Sequence, residues 1–292
     1  MGNDLIFDIG MNNGDDTAYY LACGYEVVAV EANPQFCESA RGRFSTEVGD
    51  GRLTVRNIGI SSHVGDLTFW VSERSEWSSF DKDLATRLAV PASPMTISTM
   101  RLCDLLNEYP PALYVKIDIE GSDSDAIRTL KHCSSPPSYI SFEGHPAAAT
   151  DIQLLSQLGY CAFKFVRQND WRETTTDNMR WHSRKRKIRA FAANHSLLQK
   201  GLSHVRPRQV EANGWQFPAG SSGPLARELP GRWMDITETL AVVNHRRALD
   251  STFEIDGPGA EWWDIHAARH EQIGRGEHIR RRNESPTQTP VS

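Results

Sequence analysis

The first thirty-four residues confine this chain to one kind of beginning. Leu5-Ile-Phe-Asp-Ile9 is a near-continuous apolar run, Gly10-Met-Asn-Asn-Gly14 is a glycine-bearing loop, and Tyr25-Glu-Val-Val-Ala-Val-Glu31 is a second apolar run ending in an acid. Apolar runs of this length without alternation suit strands buried on both faces of a parallel sheet. Gly10 and Gly14 bracket a turn in which a missing Cβ lets the backbone approach a bound molecule. Thr17 to Leu21 reads as the opening of a helix. Glu31 follows Asp8 by 23 residues. In a strand–helix–strand unit that spacing puts a carboxylate where it can accept hydrogen bonds from both hydroxyls of a ribose. The segment reads as a nucleoside-cofactor site.

Two cofactors use that geometry. A dinucleotide wants Gly-x-Gly-x-x-Gly, so that its pyrophosphate sits on the helix N-terminus. Here Asp15 and Asp16 follow the loop directly; they suit the helix dipole but would repel a pyrophosphate. S-adenosylmethionine, with a sulfonium centre and a zwitterionic tail, fits an acidic loop better. A turn without any ligand would leave Glu31 no reason to end an apolar strand. The expected cofactor residues are Asp8, for the ammonium group, Gly10, Asn12, Gly14 and Thr17 in and after the loop, and Glu31 for the ribose. Asn57, after the third strand, is placed either for the adenine edge or as a loop amide satisfying its own backbone.

At 292 residues the chain can bury a sizeable core, and its net charge of −5 argues against nucleic acid as the default partner. Five cysteines (Cys23, Cys37, Cys103, Cys133 and Cys161) include no Cys-x-x-Cys pair. That fits reduced thiols in the cytoplasm rather than a disulfide framework or a zinc ribbon. The first strand begins within a few residues of Met1, which leaves no room for a signal peptide, and no apolar stretch reaches membrane-spanning length.

Strands and helices alternate through the first half, the pattern of an α/β, doubly wound sheet. Further strands are expected at 53–60, 113–119, 139–142 and 161–166, an extra hairpin strand at 67–71, and helices at 35–44, 102–106, 124–130 and 152–158. A domain over residues 1–166 is followed by an irregular extension over 167–274, an acceptor pocket or lid, and by a disordered tail over 275–292. The extension could supply a seventh strand, which the pattern does not locate. Its early part, from Arg172 to Arg208, holds ten Lys/Arg against Glu173 and Asp177. Arg184-Lys-Arg-Lys187 is a solvated face on the simplest reading and an anionic-acceptor clamp on a sharper one.

Ligands in open α/β sheets sit beyond the carboxyl ends of the strands. The fourth strand ends in Lys116-Ile-Asp-Ile-Glu-Gly121, and strand periodicity puts Lys116, Asp118 and Glu120 on one side. The plainer reading is a salt-bridged strand end capping the next helix. The functional one has Asp118 contacting the methionine moiety or the acceptor, with Glu120 and Lys116 shaping the acceptor site. The fifth strand ends in Ser141-Phe-Glu-Gly-His-Pro146, which brings Glu143 and His145 toward the same cleft. His145 is the expected general base, with an ordinary pKa near 6.5. Asp118, Glu120, Glu143 and His145 complete the catalytic candidates; their clustering leaves room for a divalent metal, although the spacing is not diagnostic and none is assigned. Trp77, Ser78 and Ser79 form a loop that either closes over the cofactor or is simply solvated. Trp233, Trp262 and Trp263 form either an acceptor wall or the extension's own core.

Asp8-Ile-Gly-Met-Asn-Asn-Gly14, Val30-Glu-Ala-Asn-Pro34, Asn57-Ile-Gly-Ile-Ser61 and above all Val115-Lys-Ile-Asp-Ile-Glu-Gly121 resemble the FkbM-type methyltransferases. Residues 4–166 carry the resemblance, while Gly220-Ser-Ser-Gly-Pro and Trp262-Trp-Asp-Ile-His266 look similar to extensions in some members. The resemblance implies a Rossmann-like class I methyltransferase sheet with helices on both faces and an active site lined by the Lys-Ile-Asp-Ile-Glu-Gly motif. It also implies S-adenosylmethionine-dependent O-methylation of a hydroxyl of a sugar or secondary metabolite. The rivals are an NAD-type oxidoreductase and a non-enzymatic module that binds anions or RNA.

Overall fold

A computed structural model describes residues 4–168, 170–181, 184, 210–212, 214–218, 221–250 and 262–270. In chain order the elements are β1 (Leu5–Ile9), α1 (Asp15–Ala22), β2 (Glu26–Glu31), α2 (Pro34–Arg43), α3 (Ser45–Gly49), β3 (Leu53–Asn57), β4 (Gly59–Ile60) and β5 (Gly65–Ser72). Then come α4 (Lys82–Ala85), β6 (Ala92–Met100), α5 (Leu102–Asn107), β7 (Tyr114–Ile117), α6 (Asp123–Thr129), β8 (Tyr139–Glu143), α7 (Ala148–Gln157) and β9 (Tyr160–Arg167). The extension adds β10 (Val210–Ala212), β11 (Trp215–Phe217), α8 (Ile236–Asp250) and β12 (Trp263–Arg269). The predicted tail and most of the basic stretch, Lys185–Lys187 and His182 included, lie outside the described residues.

The main sheet runs β3-β2-β1-β7-β8-β12-β9. Every pairing is parallel except those of β12, which is antiparallel to both β8 and β9. This is the doubly wound order with a reversed strand inserted beside its last, the Rossmann-like sheet of class I methyltransferases. The reversed strand is the seventh one that the sequence pattern left unplaced. Thus the extension beyond residue 166 threads back into the sheet of the first domain.

Two apolar layers sandwich the sheet. One is built from α5, α6, α7 and α8, whose Leu105, Ile127, Leu155 and Val242 pack on Phe7, Val115, Ile140 and Phe163. On the other face α1 and α2 cover β1–β3 through Tyr19, Tyr20, Ala40 and Phe44. Over β8, β12 and β9 the same face is covered by Leu225, Ala226, Leu229 and Trp233 of the extension. Asp8, Lys116, Ser141, His266 and Lys164 stand in register across five adjoining strands, so one polar row lies beneath this second cover. Lys164 Nζ donates to the carbonyls of Ala226 at 3.1 Å and Leu229 at 2.8 Å, which fastens the irregular segment to β9.

Two sequence boundaries move. The run 53–60 breaks after Asn57, and β4 leaves the main sheet to join β5 and β6 in a small one. A Cβ on Gly59 would lie 2.3 Å from Phe80 Cζ, a close approach that only glycine tolerates. β7 stops at Ile117, and Glu120 (φ 40°) and Gly121 (φ 91°) turn the chain into α6. No helix among the described residues is long and apolar enough to cross a membrane.

Candidate active site

A cleft of about 620 Å³ opens at the carboxyl ends of β1, β2, β7 and β8. Its floor is the loop after β1. Gly10 N and Met11 N both donate to Val30 O, at 2.9 and 3.0 Å, which folds the loop onto the neighbouring strand. Gly10 sits at φ 85°, and a Cβ there would lie 1.8 Å from the Asp118 carbonyl. Glycine is therefore required twice, for its backbone angle and for the approach. Glu31 organises the wall above. Its Oε2 accepts from Asn12 N at 2.9 Å and its Oε1 from Asn33 N at 2.8 Å. Burial nevertheless holds its pKa above the usual carboxylate value. Carboxylate oxygens carry further lone pairs, so Glu31 can still receive hydroxyl donors from the cleft.

The expected cofactor residues divide. Gly10, Asn12, Glu31 and Asp118 line the cleft; Asp8, Gly14, Thr17 and Asn57 do not. Asp8 is fully buried, with Thr17 Oγ1 on one oxygen at 2.6 Å and Lys116 Nζ on the other at 3.1 Å, so its carboxylate is matched inside the protein. Gly14 begins α1 at φ 81°, against the ring of Phe44. Asn57 Nδ2 donates to the carbonyls of Glu31 and Ala32, both at 2.9 Å, and so acts as the backbone-satisfying amide rather than an adenine contact.

The catalytic candidates divide as well. Asp118, Glu120 and Glu143 line the cleft, and His145 does not. After Glu143 the chain turns as Gly144 N donates to Trp263 O at 2.6 Å. His145 then faces α7: its Nδ1 accepts from Ala147 N at 3.2 Å, and its Nε2 lies 3.1 Å from Asp151. The ring thus turns toward α7 and away from the cleft wall, against the position that the general-base assignment requires. Glu120 is engaged too, by the Arg87 guanidinium at 2.9 Å. Glu143 is different. Burial first, then Asp118, Glu120, Asp123 and Asp264, raise its carboxyl well above the ordinary range. Of the two histidines that a base could otherwise come from, His182 lies outside the described residues, and His266 is buried inside the sheet in β12, where desolvation and then Lys164 push its pKa down to about 3.

The opposite wall comes from the excursion between β5 and β6. Trp77, Phe80 and Arg87 line it, so the Trp77 loop belongs to the site and Trp77 itself is buried. The guanidinium carbons of Arg74 and Arg87 both lie 4.4 Å from the Trp77 ring centre. Of the three tryptophans expected as an acceptor wall or core, Trp262 reaches the cleft. Trp233 stacks on Tyr139 and Trp263 packs on Phe165 as core. Sequence reasoning did not place Arg87, Gln168 or Ser221 in the site; each reaches the cleft from a separate loop, and of the three Ser221 alone falls in a stretch that carried the family resemblance, Gly220-Ser-Ser-Gly-Pro. Among the described residues no group of three or more His, Cys, Asp or Glu is arranged to hold a metal.

These walls suit S-adenosylmethionine: a carboxylate for ribose at the end of β2, a glycine floor that a Cβ would fill, and acidic groups where a cation would lie. The methyltransferase FkbM domain matches residues 8–174, more than half of the sequence. The chain belongs to the FkbM methyltransferase family. It is a methyltransferase that depends on S-adenosylmethionine. Among solved structures it is similar to an S-adenosylmethionine-dependent methyltransferase from Geobacter sulfurreducens in complex with S-adenosylhomocysteine. The two are 12% identical over 91% of this chain and 85% of that one, with a TM-score of 0.36. A second, from Archaeoglobus fulgidus, is also 12% identical, over 92% and 87%, with a TM-score of 0.36. A precorrin-6y C5,15-methyltransferase from Geobacter metallireducens is 15% identical over 57% and 69%, with a TM-score of 0.31. Those likenesses are loose, and the assignment rests on the family match. No curated protein matches the chain.

Proposed function

We propose that this methyltransferase acts on a hydroxyl of a small molecule, a sugar or a secondary metabolite, with Glu143 as its general base. The observation that carries the reading is the Glu143 carboxyl, set in the cleft wall at the end of β8 with its proton affinity raised. A carboxylate with raised proton affinity is a stronger base, as deprotonating a hydroxyl at the moment of attack requires. Aromatic side chains facing carboxylates also suit a ring that presents C–H groups on one side and hydroxyls at its edge.

When bound, S-adenosylmethionine supplies a methyl group on a sulfonium, which an oxygen can attack in line. Glu31 and the Gly10 loop would hold the nucleoside end. Asp118, on the cleft wall, would help orient what binds there. Glu143 would take the acceptor's proton as its oxygen attacks. Positioning of this sort supplies much of the rate in bimolecular transfers. The thiols, free in all five cysteines, fit a cytoplasmic setting, and the acceptor is expected to be a small molecule rather than nucleic acid.

The test is transfer of isotopically labelled methyl to a panel of sugars, polyols and phenolic metabolites, with product NMR to locate the new methyl group. Glu143→Gln is expected to lower kcat by about 10²–10⁴-fold and to remove the ascending limb of the pH profile, since only the deprotonated carboxylate accepts a proton. His145→Ala is expected to leave kcat within about threefold, because its nitrogens face α7. Methyl groups found on nitrogen or carbon, or a fully active Glu143→Gln, would overturn the reading.

A further inference from the structure

The excursion between β5 and β6 brings two arginines to the cleft wall, and they are held differently. Arg87 is matched: its guanidinium donates to both oxygens of Glu120, at 2.9 and 3.5 Å. Arg74 is exposed and has no such match. Glu73 and Glu76 stand beside it in sequence, yet among the described residues no carboxylate comes within ion-pair distance of it. Glu76 Oε2 instead accepts from Ser75 Oγ at 3.2 Å. What holds the Arg74 guanidinium is the Trp77 ring, 4.4 Å from its carbon. The attraction of a guanidinium to a ring leaves its N–H donors unspent, and those donors match a carboxylate or phosphate in pairs.

The ring that carries Arg74 is itself fixed. Ser79 exchanges backbone hydrogen bonds with Trp70 of β5, and its Oγ donates to the Glu120 carbonyl at 2.7 Å. Arg87 presses on the same ring at 4.4 Å. The chain turns directly after it through Leu88 (φ 54°) and Ala89 (φ 58°), two successive left-handed residues with side chains, an arrangement that persists only where its surroundings impose it. Glu120, Arg87, Trp77 and Arg74 thus form one continuous row of contacts. The row is anchored just after β7, where Glu120 lies close enough to Glu143 of β8 to help raise its carboxyl. Glu31 ends β2, on the far side of β1. The anchor therefore belongs to the acceptor half of the cleft, not to the ribose half.

We propose that the acceptor carries an anionic group, a carboxylate or a phosphate, and that Arg74 binds it while a hydroxyl of the same molecule meets Glu143. The inference rests on the hydroxyl-methylation reading and narrows its substrate class. Trp77 holds the guanidinium before the ligand arrives, so little side-chain freedom is lost on binding. Arg87 is a positioning residue: tied to Glu120, it steadies the ring on which Arg74 rests. Acidic side chains elsewhere on the wall, Asp118 among them, repel an anion, so its charge also decides which way round the acceptor enters.

The experiment is a ligand-observed NMR titration of the full chain, saturated with S-adenosylhomocysteine, with three matched probes: methyl glucoside, glucuronate and glucose 6-phosphate. Wild type is expected to bind the better of the two anions about tenfold more tightly than the neutral sugar, the order of a hydrogen bond to a charged group. Which anion binds better tells a sugar acid from a sugar phosphate. Arg74→Gln is expected to bring the three affinities level, and Arg74→Lys, which keeps the charge without the fork, to recover part of the preference. Affinity of Arg74→Gln for S-adenosylhomocysteine, measured by calorimetry, is expected to stay within about twofold of wild type. A large fall there would make Arg74 a cofactor contact and overturn the proposal. It is overturned as well if wild type binds the three probes alike, or if Arg74→Gln keeps the preference. Failure of the hydroxyl reading would show separately, as labelled methyl on nitrogen or carbon with the anion preference intact.

Discussion

The two halves of the main sheet are built by different means. From β3 to β7 the strands are short and apolar, they pair in parallel, and α1 and α2 cover the face that carries the cofactor loop. From β8 to β9 the sheet is completed by β12, and the corresponding face is roofed by Leu225, Leu229 and Trp233 from irregular chain. In the first half chemistry comes from loops on a scaffold that local segments already complete. In the second half a distant segment is scaffold and cleft wall at once. Damage in the first half should therefore be read in ligand affinity, and damage in the second in stability.

Ala267→Asp puts that contrast under the greatest strain. Ala267 is fully buried in β12, opposite Ile140 and Phe163. An unpaired carboxylate there is expected to cost more than about 4 kcal/mol, seen as loss of the cooperative melt. A variant that still melts within a few degrees of wild type would mean the second half does not depend on β12. Gly10→Val comes next. Its left-handed angle costs about 1–3 kcal/mol for a residue with a side chain, and the clash with the Asp118 carbonyl adds to it. A melt lowered but still cooperative, with no detectable binding of S-adenosylhomocysteine, is the expected result. Glu31→Ala should be mildest for the fold. Cofactor affinity is expected to fall by about 1.5–3 kcal/mol, the scale of hydrogen bonds to a charged group, with little change in melting temperature. Unchanged affinity would remove Glu31 from the site and blur the contrast between the halves.

The same division decides what could be read from sequence. β1, β2, β8 and β9 announce themselves because each is an apolar run bounded by turn residues, and α1 follows its loop directly. The place of Glu31 and Asp118 on the cleft wall was legible because acids that end apolar strands have few other uses. β12 was hidden by Asp264 and His266, polar residues that are nonetheless buried and break the apolar pattern. β6 was hidden by Pro91, Ser93 and Pro94 near its start. His145 was misjudged because period-two reasoning was carried past Gly144, where β8 has already ended. Lys116 does line the cleft, but its ammonium is nearly buried, because the carboxylates that draw it in, Asp8 and Asp16, come from other elements. Spacing along a chain says where a side chain starts; which partners pull on it is a property of the whole fold.

The place of β12 also sets a timetable. β8 and β9 lie on either side of a gap that only Trp263–Arg269 fills, and everything from Gln168 to Trp262 intervenes. On the ribosome, β1 to β9 emerge long before their missing neighbour, with two strand edges facing each other unpaired. Such edges invite wrong partners, and pairing across so long a loop is slow to nucleate. Refolding of the full chain should accordingly show an early phase that forms the Gly10 loop and a late one that seats β12. Competence to bind cofactor should arrive with the late phase, when Ser221 and Trp262 are drawn over the cleft.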